Sequence, residues 1–535
     1  MKHGLLLFIL SLIFAPAFGQ VETHLVLFTD KTNTPFSISS PEEYLSPRAI
    51  ARRQRQGISI KERDLPVDPE YVQQLRDAGA DVRYTTRWMN GVIIDADLTT
   101  LLAVQQLPFV KSAGTISFET YPSQNYSSLC QVEQTETEDY GNAQAQNEML
   151  GIDLMNEEGY YGEGMVIAVF DEAFGSVPRM RAFEQLDLLG TYDFIDDETD
   201  VFDGGSHGQR VLSAMAAYVP GEMVGGAYKA SYYLFSTEDG PTESRAEEAY
   251  FLVAAERSDS LGVDVITCSL GYSDFDNPTY NYTPADLDGN TALITRAADW
   301  AAATGMLVVT SAGNRGNDEW GALTFPADGD SVLAVGAVAS NGQAVSFSSF
   351  GSVSGDRVKP NVSALGLNTT VWFTSDLAGV SSGTSFASPL VTTLAIGLWE
   401  ANPDKTNMEI IEAIERSGNL FLDPDDQRGY GIPNFQVANA QLVLGVEDEY
   451  LQGIQVFPNP VTSDAITLRF SDAHQGTRLK IRLMDLQGRT LLRSQSVEVN
   501  QGDVRFVLPE SLPKGVVLLH LESPTGSAIF KLFKP

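Results

Sequence analysis

The chain has 535 residues, 70 of them acidic and 35 basic, for a formal charge of −35; at roughly 150 residues per domain that is length for about three folded units. So acidic a surface repels phosphate backbones and anionic membranes, and nucleic acid is excluded as an expected partner. With only two cysteines, Cys130 and Cys268, no disulfide framework can hold the fold, and buried apolar surface has to do so.

The first stretch, "MKHGLLLFILSLIFAPAFGQ", has a basic start at Lys2, an apolar run to Phe14 and small residues ahead of a cut, which predicts a secretory signal peptide over residues 1–19. A membrane anchor is the competing reading, but the run falls short of the roughly 20 residues a spanning helix needs. Residues 20–135 mix strand-like runs ("HLVLFT", "GVIIDAD", "FVKSAG") with helical ones ("PEYVQQLRDAG", "DLTTLLAVQQL"), a small α+β domain. Within it "SPRAIARRQRQG" gathers Arg48, Arg52, Arg53 and Arg55. This basic island either docks on an acidic surface or is a plain solvated helix face. The polar, acidic stretch "CQVEQTETEDYGNAQAQ" has the composition of an exposed connector open to proteolysis.

From residue 136 to 442 the texture alternates: "MVIAVF", "QRVLSAMAAYV", "SYYLFS", "AEEAYFLVAAERSDSLG", "VDVITCSLG", "TALITRAADWAAATG", "MLVVTSAGN", "SVLAVGAVA". Such alternation predicts an α/β domain of three layers, a mostly parallel sheet with helices on both faces. Cys268, inside a run of branched apolar residues, reads as a buried, inert thiol. A linker over 443–452 leads into residues 453–535, where short alternating segments ("IQVFPNPV", "ITLRF", "LKIRLMDLQGRTLL", "VRFVLP", "GVVLLHLE") predict a small all-β sandwich.

The central domain holds one histidine, His207, in "DGGSHGQRVLSAMAAY", after a glycine-rich loop and at the start of an apolar helix. If the domain does acid–base chemistry with an imidazole, it is the candidate there; a structural histidine at a helix entry is the alternative. The most distinctive serine context is "SSGTSFASPLVTTLAIGLWE". It places Ser385 at the amino end of a buried helix, where free N–H groups and the positive dipole end meet developing negative charge. An ordinary N-cap serine is the plainer reading, and Ser381, Ser382 and Ser388 compete for the role. In "MLVVTSAGNRGN", Asn314 follows a small, flexible step and can donate its amide N–H to an oxyanion. In "GMVIAVFDEAFG" an apolar strand runs into two carboxylates, Asp171 and Glu172.

Together these stand in the order Asp, His, Asn, Ser, and here the central domain resembles the subtilisin-like (S8) serine peptidases: "GTSFASP" is similar to their nucleophile motif, "SHGQRVLSAMAA" to the histidine motif, "SAGN" to the oxyanion motif and "VITCSLG" to the strand lining the primary pocket. The resemblance implies Ser385 as nucleophile, His207 as general base and then acid, Asp171 as the carboxylate orienting the imidazole, and Asn314 as oxyanion donor. It also implies Ser269, Leu270, Gly271, Ser311, Ala312 and Gly313 as walls of the pocket for the residue before the scissile bond. The sequence departs from the family at Glu172 and Ala173, where Ser or Thr and then Gly are usual, at Gln209 for Thr, and at Asn361 for Asp. Strand alternation directs Asp171 inward and Glu172 to solvent.

By the same resemblance residues 20–135 are a propeptide that assists folding and blocks the site as an intramolecular inhibitor, and the tail is similar to the sorting domains of the type IX secretion system of Bacteroidetes. The implied function is a secreted serine endopeptidase, made as a zymogen and acting on extracellular proteins or peptides, released or attached to the outer cell surface, and monomeric. No cofactor or metal is expected in the chemistry; the acidic stretches "DDETDVFDGG" and "DFDNPTYNYTPADLDGN" could hold structural Ca²⁺. Two alternatives are a catalytically impaired surface binding protein on the same scaffold, and a serine-carboxyl peptidase, against which His207 and Asn314 argue.

Overall fold

The computed structural model describes residues 21–116, 140–351, 357–443 and most of 454–534. The expected signal segment, Cys130, nearly all of the connector and the linker from 444 onward lie outside the described residues.

In chain order the first elements are β1 (Glu22–Phe28), α1 (Pro47–Arg55), α2 (Pro69–Asp77), β2 (Asp81–Thr86), β3 (Gly91–Ala96), α3 (Leu98–Val104) and β4 (Val110–Thr115). All but α1 form one compact unit, an antiparallel sheet in the order β2-β3-β1-β4 whose core gathers Val26, Phe28, Leu75, Val92, Ile94, Val104 and Phe109. Asp68 and Asp97 cap α2 and α3 by accepting backbone N–H groups of the first turn, as helix starts require. Residues 36–65, with α1, belong instead to the second compact unit, which contains the central domain. There Arg52 and Arg53 are 1% and 2% exposed while Arg48 and Arg55 are exposed, so the basic island is a solvated face only in part.

The central domain runs α4 (Gln144–Leu150), α5 (Ile152–Glu157), β5 (Val166–Asp171), β6 (Asp187–Asp193), α6 (His207–Ala216), a short hairpin of β7 (Tyr218–Val219) and β8 (Met223–Val224), β9 (Ser231–Ser236), α7 (Arg245–Leu261), β10 (Val265–Cys268), α8 (Leu293–Ala303), β11 (Leu307–Ser311), β12 (Val332–Val338), β13 (Val362–Leu365), a second hairpin of β14 (Thr369–Phe373) and β15 (Leu377–Ser381), α9 (Thr384–Ala401), α10 (Asn407–Ser417) and α11 (Phe435–Val443). Seven strands pair in parallel in the order β13-β12-β11-β10-β5-β9-β6. Strands β5, β10, β11 and β12 are buried at every position, which is why they read as unbroken apolar runs. One sheet face, with Ile167, Val169, Val309 and Val335, packs on α6 and α9. On the other, Phe170 meets Phe251 of α7 edge to face. The three-layer α/β expectation therefore holds. Cys268 is buried and, among the described residues, unbridged, and burial pushes its thiol pKa up, in keeping with an inert group.

The tail comprises β16 (Gln455–Phe457), β17 (Ala465–Arg469), β18 (Arg478–Met484), β19 (Thr490–Glu498), β20 (Asp503–Val507), β21 (Gly515–Ser523) and β22 (Gly526–Lys534). Two antiparallel sheets, β16-β17-β20 and β19-β18-β21-β22, share one core containing Ile466, Leu468, Phe506, Ile481, Leu519 and Leu521, a sandwich as expected.

Candidate active site

The carboxyl edge of the parallel sheet is where such folds place chemistry. Asp171 closes β5 and is fully buried. Its Oδ1 accepts Nδ1–H of His207 at 2.7 Å and the Glu172 backbone N–H at 2.9 Å, while Oδ2 has no hydrogen-bond partner among the described residues. An ionised carboxylate only accepts, so Nδ1 carries the proton and Nε2 is left as an acceptor. His207 opens α6, and Gly208 makes the contact sterically feasible: a Cβ there would lie 2.7 Å from Cβ of Asp171 and 2.8 Å from the Ala173 carbonyl. Burial works against the imidazolium, but the charge and hydrogen bond of Asp171 outweigh it, so the His207 pKa is raised from its ordinary value; ionised Glu172 adds to the rise.

Ser385 is the second residue of α9 and 5% exposed. Pro389 lies four residues on and has no N–H, so it cannot bond the Ser385 carbonyl within the helix. That carbonyl instead accepts the Ser269 hydroxyl at 3.0 Å, and Ser385 Oγ donates to the Ser269 carbonyl at 3.2 Å. The "GTSFASP" motif thus ties the start of α9 to the end of β10. Asn314, just past β11, accepts through Oδ1 from the Thr384 N–H at 2.9 Å and the Thr384 hydroxyl at 3.0 Å. Because a backbone N–H only donates, this fixes the amide flip and leaves Nδ2 as the donor available beside the first turn of α9, whose N–H groups lack intrahelical partners. Of the competing serines, Ser382 Oγ accepts the Asn368 N–H and Ser381 Oγ accepts from Arg210, while Ser388 is buried in α9.

The expectation for Glu172 is corrected. Its side chain is half-buried, with the carboxyl packed against the backbone at Gly205 and Gly240. Strand alternation does not reach it, because β5 ends at Asp171 and two loops fold over the next residue. Burial first, and the Asp171 charge second, raise its pKa. The other departures have structural work: Gln209 is buried and donates to the Trp372 carbonyl at 2.6 Å, joining α6 to β14. Asn361 accepts from the Ala334 N–H and from Lys359 Nζ while donating to Glu415.

The two expected pocket walls, Ser269–Gly271 and Ser311–Gly313, follow β10 and end β11, which are adjacent parallel strands. Between them stands a residue that nothing in the sequence singled out. Thr324 is 3% exposed and its Oγ1 has no hydrogen-bond partner among the described residues. A Cβ on Gly313, whose φ is +103°, would lie 2.6 Å from that hydroxyl, and one on Gly271 would also collide with it. A lone threonine in "GALTFPADG" carries no pattern by which it could have been found. Arg210, one turn beyond His207 with its guanidinium over Phe386, was likewise missed.

Among the described residues no group of three or more His, Cys, Asp or Glu side chains converges as a metal site. Within the two acidic stretches, the carboxylates of Asp200, Asp286 and Asp288 accept backbone N–H groups of their own turns.

Residues 162–435, just over half of the chain, match the model of the subtilase family. The chain belongs to the subtilase family. As a subtilase it is a serine-type endopeptidase. Residues 23–134 match the S8 propeptide domain of Bacteroidota, and residues 455–534 match a secretion-system C-terminal sorting domain, so this subtilase is secreted or attached to the cell surface. It is 30% identical over 287 residues to subtilisin NAT of Bacillus subtilis subsp. natto, covering 53% of this chain and 68% of the relative. Subtilisin of Bacillus pumilus is 30% identical over 291 residues, covering 53% and 94%. The minor extracellular protease Epr of Bacillus subtilis strain 168 is 26% identical over 372 residues, covering 68% and 52%.

Proposed function

We propose that the chain is the zymogen of a secreted subtilase that cleaves extracellular proteins through an acyl-enzyme on Ser385. One observation carries the reading: the 2.7 Å contact of Asp171 with His207 Nδ1 leaves Nε2 unprotonated, in the domain where Ser385 and Asn314 meet at the head of α9. Ser385 Oγ turns from the Ser269 carbonyl toward His207, gives up its proton to Nε2 and bonds to the scissile carbonyl carbon; catalytic hydrogen bonds are often looser before substrate binds. Negative charge on the carbonyl oxygen is met by Asn314 Nδ2 and first-turn N–H groups of α9. The imidazolium, stabilised by Asp171, then protonates the leaving amine, and water reverses the sequence to free the acid. Residues 20–135 keep the enzyme latent until they are cut away. The test is casein hydrolysis by matured protein against a Ser385→Ala variant: loss of hydrolysis is expected, and digestion by the variant at the wild-type rate would overturn the assignment.

Thr324 gives this reading a substrate preference. A side chain filling the space between the pocket walls shortens the pocket, and its unpartnered hydroxyl favours small residues such as Ala, Ser or Thr before the scissile bond over Phe or Tyr. Thr324→Gly is expected to raise kcat/KM for a Phe-containing peptide relative to its Ala counterpart by about 10-fold or more, the scale of discrimination a few atoms of pocket volume supply. Unchanged ratios in a peptide series would place Thr324 outside the pocket.

A further inference from the structure

The basic island has a partner within the chain. Residues 36–65 fall inside the span that matches the propeptide domain, yet they pack with the subtilase domain. Ser46 caps α1 and its backbone N–H donates to the Ser260 carbonyl at the end of α7 at 2.9 Å. Arg52 Nη2 donates to Asp259 Oδ1 at 2.5 Å, Arg53 Nη2 to Asp259 Oδ2 at 2.7 Å, and Asp64 holds the Arg53 fork from the other side. Asp259 is fully buried, so both of its oxygens are met by guanidinium groups of this one segment. Arg48 donates to the carbonyls of Gly262 and Gly164 and pairs with Asp264. Arg52 also reaches the carbonyls of Val263 and Thr304, and Gln56 that of Gly305 at 2.7 Å. Arg63 lies over the Trp300 ring.

These acceptors share a location. Gly164, Val263 with Asp264, and Thr304 with Gly305 immediately precede β5, β10 and β11, so the segment binds the amino edge of three adjacent parallel strands. Asp171, Ser269 and Asn314 lie at the carboxyl edge of those same strands. The segment also places cations on the carboxyl ends of α7 and α8, where helix dipoles favour them.

We propose that this surface is a docking site for residues 36–65, an anchor remote from the substrate cleft that binds the subtilase domain independently of inhibition. This rests on the reading of residues 20–135 as a propeptide severed from the peptidase. Because the chain enters and leaves the anchor directly from the antiparallel unit, a bound anchor tethers that unit after the connector is cut, and raises its effective concentration without any contact in the cleft. The partner chemistry is specific: an arginine pair spaced i, i+1 at the end of a short helix, received by one buried carboxylate and by the carbonyls that follow two helix ends.

The test uses the full-length chain with Ser385→Ala and a recognition sequence for an unrelated site-specific protease inserted within residues 120–139. Nicking then needs no activity of Ser385, so its outcome is separable from failure of the catalytic assignment. After nicking, size-exclusion chromatography in about 0.15 M salt, where buried pairs are little screened, is expected to keep the two fragments together. In a chain also carrying Arg52→Gln and Arg53→Gln they should separate, with a Kd raised roughly 100-fold, the scale of losing a buried charge pair at an interface. Asp259→Asn, which removes the charge from the opposite side, should do the same. The two arginines are absent from the mature enzyme, so matured protein from a chain with Ser385 intact that carries only Arg52→Gln and Arg53→Gln should have wild-type kcat/KM on a small peptide. Fragments that separate without any substitution, or that stay together equally in both variants, would overturn the anchor.

Discussion

Replacing Asp171 by Asn should lower kcat/KM by about 10⁴-fold, as in other triads where the carboxylate is made an amide. Asn presents an N–H where His207 Nδ1–H now donates at 2.7 Å, so the imidazole must take the other tautomer, with Nε2 protonated and useless as a base. Asp171 is 0% exposed, so bulk solvent does not reach its carboxyl group. The neighbouring Glu172→Gln should leave the plateau rate near wild type, because no bond joins Glu172 to the imidazole. Its effect belongs in the pH profile. With His207 as the proposed general base its neutral form is the active one, so kcat/KM should rise as pH passes its raised pKa, with an acid limb above the ordinary imidazole value. Removing the Glu172 charge takes away one contribution to that rise, and the limb should move to lower pH. Profiles measured on a chromogenic peptide would check both variants; a large rate loss in Glu172→Gln with a mild one in Asp171→Asn would reassign the acid.

Asn314→Ala should reduce kcat by roughly 10²–10³-fold with little change in KM, the range known for removing one oxyanion-hole donor, subtilisin included. The amide is pinned by two bonds from Thr384 to its Oδ1, so Nδ2 is preorganised, and in the proposed role it would act on charge that appears only in the transition state. Thr384→Val should share part of the loss, since it removes one of the two bonds that aim the amide. Steady-state kinetics separate this from a binding defect, which would appear in KM.

What the sequence disclosed follows from where its information is local. Strands β5, β10 and β12 were legible because burial on both faces forces an unbroken apolar run, and "SYYLFS" coincides with β9 residue for residue. Strand β6 was not, since an edge strand with exposed and half-buried residues and a Gly at 190 has no such run. The four-residue β13 and the hairpin β14–β15 were too short to stand out. The candidate triad was readable as motifs, and each motif has a geometric reason: Gly208 for the close approach of α6 to β5, Pro389 for the carbonyl that Ser269 takes up. Glu172 was misjudged because the period of a strand was carried one residue past its end. The use of the arginine island was undecidable from the sequence, its carboxylate partner Asp259 lying 207 residues away from Arg52. Thr324 is the same case between the ends of β10 and β11: a residue singled out by two glycines distant in sequence.

The most direct measurement is the site of covalent modification. Matured protein treated with a fluorophosphonate, digested and mapped by mass spectrometry, should carry the adduct on Ser385 and on no other serine. An adduct on Ser381, Ser382 or Ser388, or a matured protein that cleaves casein yet takes up no label, would contradict the account.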